Sequence, residues 1–184
     1  MPPNSFYSST HTYSQPLQLI YTVWGPASIL ASNGARYYVS FVDVYSKFTF
    51  LYLIHHKSQV KNVFKIFKNL VENQTGYKIL ALQYDNAKEY LFLTSYLQEC
   101  GINHRLSCPY THEQNGSVER KHRHIVDMGL TLLSTATLPL KFWAEAFLAT
   151  IHTTNVLPTD VRKGDNPYNT LFKRQPNYKK FQGV

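Results

Sequence analysis

Acidic residues are scarce in this chain: 11 Asp and Glu stand against 19 Lys and Arg among 184 residues, a net charge of +8. The shortage is sharpest at the front, where the first 35 residues hold no Asp, Glu, Lys or Arg. A catalytic carboxylate therefore cannot come from that stretch. Cysteine is nearly absent as well. Cys100 and Cys108 are the only two, which excludes a disulfide framework, fits a reducing compartment and leaves too few soft ligands for a zinc finger. The eight histidines are scattered, and His122 and His124, two apart on an expected helix, point away from each other. No apolar run approaches the length of about 18 residues that spans a bilayer, and the N-terminus lacks the basic start and apolar stretch of a secretory leader. No membrane association is expected.

What the chain does hold is apolar and aromatic: 43% hydrophobic and 15% aromatic residues, enough to exclude disorder and to build the core of one domain of ordinary size. The basic excess favours a polyanionic partner, nucleic acid first, although a merely soluble basic protein would show the same charge.

The opening "MPPNSFYSSTHTYSQP" reads as a flexible lead-in over residues 1–15. "LQLIYTVWG", "RYYVSFVDVYS" and "KFTFLYLIHH" follow. They are three aromatic and β-branched runs separated by short Gly, Asn or Ser breaks, which predicts an antiparallel meander. The period then changes. Val60, Val63, Phe64, Phe67, Leu70 and Val71 recur at three and four, with Lys61, Lys65 and Lys68 between them, an amphipathic helix that "NQTG" ends. "YKILALQYD" predicts a strand, "LFLTSYLQECG" a short helix and "INHRLSCPY" another strand. After the loop "PYTHEQNG" a long helix is expected from near Ser117 to about Leu133, and "LPLKFWAEAFLATIHTTNVLP" is apolar on most sides, as a packed helix would be. Strands and helices in this order predict an α/β fold with a mixed five-stranded sheet flanked by helices. A core domain is expected over residues 16–157, followed by a basic linker or tail over residues 158–184.

Asp85 falls at the carboxyl end of an expected core strand, where mixed sheets gather ligands. Glu119 falls near the start of the long helix. Each has a structural explanation alone. Asp85, helped by Asn86, can form a turn, and Glu119 can complement a helix dipole. Trp24, Phe142, Trp143 and Phe147 read as core, and Cys108 as a buried thiol.

Taken together, "QYDN", "SCPYTHEQNGSVERKHRHIVDMGLTLL" and "LPLKFWAEA" resemble the integrase core of copia-type LTR retrotransposons. "VWGPAS", "YYVSFVDVYSKFTFLYLI" and "NPYNTLFKRQPNY" match that family too, so the resemblance runs from Pro16 to Tyr178. It implies a ribonuclease H-like fold and Mg²⁺- or Mn²⁺-dependent phosphodiester transfer that joins element DNA to target DNA, in a nuclear setting or a cytoplasmic particle before import. Such chemistry needs carboxylates because two hard cations must be held against one phosphodiester. The family's trio is an Asp on the first strand, an Asp before Asn and a Glu on the long helix. The second and third carry over to Asp85 and Glu119 as catalytic and metal residues.

The first does not carry over. The family places an Asp directly before Val-Trp-Gly-Pro, and this chain reads "YTVWGP" with Thr22 before Val23. A one-residue deletion between them describes the difference, and it would turn the upstream side chains to the other face of the strand. Between Asp85 and Glu119 lie 33 residues, fewer than the family's spacing. Catalytic impairment and weakened cation binding are expected. The alternatives are an active enzyme rescued by Asp43 or Glu89, or a non-catalytic nucleic-acid-binding or structural remnant.

Arg120, Lys121, Arg123 and His124 beside Glu119, with Arg105 nearby, are expected to meet DNA phosphates without reading sequence. His112, Gln114 and Asn115, in the loop before the long helix, are expected to touch DNA as well. A solvated basic helix face is the plain alternative. The resemblance also implies possible homo-oligomers.

Overall fold

The computed structural model describes residues 13–84, 93–106, 112–158 and 164–178, with backbone alone at 26, 106 and 112–119. Strands β1 (Ile20–Pro26), β2 (Tyr37–Asp43) and β3 (Thr49–Ile54) form the expected meander. β4 (Ala81–Tyr84) runs parallel to β1, and β5 (Asn103–Leu106) runs parallel to β4. The sheet order is β3-β2-β1-β4-β5, a mixed five-stranded sheet as the sequence predicts.

Helix α1 (Val60–Thr75) links β3 to β4 and buries Val60, Phe64, Phe67 and Val71, the stripe set by their spacing. Gly76 ends it at φ +74°, a left-handed conformation that a side chain would resist. Helix α2 (Thr94–Glu99) links β4 to β5 and adds Leu97 to the same core. This side of the sheet is the larger core, with Ile20, Val39, Phe41, Leu82 and Tyr84 beneath the helices.

Helices α3 (His112–Thr135) and α4 (Trp143–Val156) form a second core, where Ile125, Leu133, Trp143 and Phe147 pack with Tyr38. A Cβ on Gly129 would lie 2.5 Å from the Phe147 ring, so the absence of a side chain lets α4 cross α3 closely. Helix α5 (Pro167–Phe172) starts with Asn166 capping Asn169 N–H at 2.7 Å and Pro167 in the first turn. It buries Leu171 in the α1-side core and sets Phe172 edge-on to Phe48 at 5.3 Å.

One boundary differs from expectation. The long helix begins at His112 rather than near Ser117. Gly116 and Asn115 suggest a break, but a single interior glycine costs only about 1 kcal/mol and no proline interrupts the run. His112, Gln114 and Asn115 therefore belong to the first turns of α3 and not to a loop. No helix among the described residues is long and apolar enough to cross a membrane.

Candidate functional site

The strand register decides what β1 can offer. Thr22 pairs with Phe41 and Tyr21 with Val42. Paired residues share a face, and Phe41 belongs to the α1-side core. Thr22, 3% exposed, is thus committed to that core, while Tyr21 and Val23 face the α3 side. No residue of β1 is a carboxylate. β4 ends at Tyr84. Asp85, Asn86, Glu89 and Cys108 lie outside the described residues, and Glu119 is placed by backbone only, in α3.

Asp43 is used by the fold. It is completely buried, with Oδ1 accepting Leu17 N–H at 2.9 Å and Oδ2 accepting Ser46 N–H at 2.7 Å. Both oxygens hold the entry to β1 and the turn after β2, so this acid does not replace the missing ligand. Among the described residues no three His, Cys, Asp or Glu cluster as a metal site would require. Of the three-carboxylate centre that the sequence resemblance implies, the β1 member is absent: Thr22, a neutral hydroxyl, stands directly before Val23.

The α3 side presents a largely apolar cavity whose lining includes the cations of Lys47, Arg120 and Lys121. Its volume of about 540 Å³ opens between the ends of β1 and β2 and helices α3 and α4, lined by Tyr21, Lys47, Arg120, Lys121, His124 and Met128 among others. Positions 120, 124 and 128 repeat every four residues, so one face of α3 supplies most of these groups. Lys121 Nζ donates to the Lys47 carbonyl, which ties α3 to the turn that Asp43 organises. Arg120 and His124 are exposed. Arg123 is exposed too, but it is not part of this lining, so the structure separates it from the other three.

Arg105 reaches the same side by another route. It pairs through β5 with Gln83, and Gln83 pairs with Tyr21. Its Nη1 donates to the Tyr13 hydroxyl at 3.1 Å. Tyr21 thus stands between Arg105 and the α3 cluster. Burial pushes its hydroxyl pKa up, Tyr13 adds to the rise, and the Arg105 charge opposes it. Sequence reading missed Tyr21. The signal was the strand alternation itself, which puts Tyr21 opposite Thr22.

Behind this face, α3 is anchored by His122. Its ring stacks on Tyr38 at 5.5 Å, and the Tyr38 hydroxyl and His122 Nε2 share a hydrogen bond. Burial lowers the pKa of His122 and pushes the Tyr38 hydroxyl up to about 12. Both stay neutral at pH 7, with Trp143 and Phe147 closing the cluster. His122 and His124 diverge as their spacing requires.

The integrase core domain family matches residues 14–112. The chain is 47% identical over 178 residues to the "Retrovirus-related Pol polyprotein from transposon RE2" of Arabidopsis thaliana, and the match covers 96% of this chain. It is 36% identical over 158 residues to the corresponding polyprotein from transposon TNT 1-94 of Nicotiana tabacum, covering 84% of this chain. The chain spans only 12% of the length of each of these curated relatives. Among solved structures, the catalytic core domain of BIV integrase superposes with a TM-score of 0.61 at 18% identity, covering 90% of this chain and 99% of that one. That likeness establishes the ribonuclease H-like fold. With fold and relatives in agreement, this chain belongs to the integrase core domain family, as carried by copia-type retrotransposon Pol polyproteins.

Proposed function

We propose that this chain is an integrase core that has kept its nucleic-acid-binding face and lost the carboxylate geometry for phosphodiester transfer. The observation that carries the reading is the register of β1: Thr22 packs with Phe41 in the α1-side core, and no acid stands on the strand. Asp85 and Glu119 then retain only weak affinity for Mg²⁺ or Mn²⁺. Removing one ligand of a two-cation site costs about 4 kcal/mol of transition-state stabilisation, about a thousandfold in rate.

Binding is less sensitive to that loss. Arg120, Lys121 and His124 need only meet phosphates, and a net charge of +8 supports association at long range. The partner is DNA of element ends and target, recognised with little sequence preference, in the nucleus, by a chain able to self-associate. Duplex binding measured by fluorescence anisotropy across salt concentrations tests this. The expected result is affinity that falls steeply with salt and is the same for unrelated sequences. Flat salt dependence would overturn the proposal.

A further inference from the structure

The cavity beside α3 offers more than a seat for a phosphate. Its sheet wall is Tyr21 of β1, Val42 of β2 and Val44 just beyond, while Met128 of α3 and Thr153 of α4 bound it from the helices. Tyr21, Met128 and Thr153 are each half-buried. Along α3 the lining changes character. Arg120 and His124, both exposed, come first, and Met128 follows one turn later. At roughly 1.5 Å per residue, Arg120 and Met128 stand about 12 Å apart along the helix. Lys47 belongs to the cationic end, because its carbonyl accepts Lys121 Nζ. The cavity of about 540 Å³ is thus polarised lengthwise, cationic at one end and apolar at the other.

A bare phosphate gains nothing from the apolar end, and an apolar side chain gains nothing from the cations. A nucleotide carries both parts, an anionic phosphate and a flat base. An aromatic ring, a thioether and two valines suit the face of a base, and the Thr153 hydroxyl offers a partner to its polar edge. We propose that this cavity holds one unstacked nucleobase, with the neighbouring phosphate on Arg120 and His124. This rests on the reading that the chain binds nucleic acid through α3, and it names the form of DNA preferred. Freeing a base from a duplex costs stacking and pairing that a single strand does not lose, so strand ends, gaps and single strands are the favoured ligands.

The test is anisotropy with two probes of equal length and charge, a single DNA strand and a wholly abasic strand, across salt concentrations. The parent chain is expected to bind the ordinary strand about tenfold more tightly, with the same salt slope for both. Two variants act on the cavity from different helices: Thr153→Trp fills it, and Met128→Ala removes part of its apolar wall. Thermal melts confirm that each is folded. Both are expected to lose most of the preference for the ordinary strand and to keep the salt slope. Equal affinity for the two strands, beside a steep salt slope, overturns this inference and leaves the phosphate contacts of α3 standing. A preference that survives in both folded variants puts the base elsewhere and overturns it too. A parent chain that binds neither these strands nor duplex overturns both readings.

Discussion

Tyr21 and Thr22 are neighbours that serve opposite faces of one sheet, and their assignment follows from alternation along a strand. Thr22 is held by core packing, and Tyr21 by its place between Arg105 and the α3 cations. On the proposed reading, Arg120 and Lys121, also neighbours, separate a binding role from a structural one. Arg120 is exposed, whereas Lys121 also donates to the Lys47 carbonyl. Arg120→Ala is therefore expected to lower the salt slope of DNA binding by about 1 with an unchanged melting temperature. Lys121→Ala is expected to lower both, with a stability loss of about 1 kcal/mol. Anisotropy and thermal melts check the pair. His122 sets a pH dependence. Its folded pKa is lowered by burial, so the folded chain resists the proton that the unfolded chain accepts. Stability should be full above the ordinary value of 6.5 and decline as pH falls from there towards the folded value. Urea denaturation from pH 7.5 to 5 should show a slope that His122→Phe reduces.

Among the elements, two contacts hold the frame on which those residues sit. Glu72, near the end of α1, accepts Lys68 Nζ at 3.1 Å, Lys78 Nζ at 2.9 Å and the Ile79 N–H at 3.0 Å. Burial alone would raise its pKa, but these bonds outweigh it and hold the carboxyl below its ordinary value. A depressed carboxyl contributes stability above the unfolded pKa and loses it as pH falls through the folded one. Glu72→Gln should cost about 2 kcal/mol at pH 7, with the difference from the parent shrinking below about pH 4. Gly129→Ala should destabilise by about 1 kcal/mol despite the better helix propensity of alanine, because the new Cβ meets Phe147. Adding Phe147→Leu should recover part of that loss. The elements themselves were largely legible: β-branched and aromatic runs marked the meander, and the spacing of Val60, Phe64, Phe67 and Val71 marked α1. The start of α3 was not, because Asn115 and Gly116 resemble a break, whereas a single interior glycine costs a helix only about 1 kcal/mol. The role of Asp43 was readable only in part. An Asp three residues before Ser46 is an Asx-type turn signal, but its bond to Leu17 N–H joins segments 26 positions apart.

At the scale of the whole molecule, the sheet divides the labour. One side is a large apolar core, and the other combines a smaller core with the basic face of α3. The missing Asp was visible in the string "YTVWGP", but its consequence needed the register, since only pairing with Phe41 shows which core claims Thr22. The scarcity of acids has a further effect. On the proposed reading, a +8 charge and a first strand without a carboxylate favour polyanions over the cations that would act on them. Calorimetric Mn²⁺ titration tests that most directly, on the unmodified chain, on a form with Asp inserted between Thr22 and Val23, and on each with Asp85→Asn. The expected result is no saturable uptake in the micromolar range by the unmodified chain, and uptake by the insertion form that Asp85→Asn removes. Tight Mn²⁺ uptake by the unmodified chain, abolished by Asp85→Asn, would contradict it.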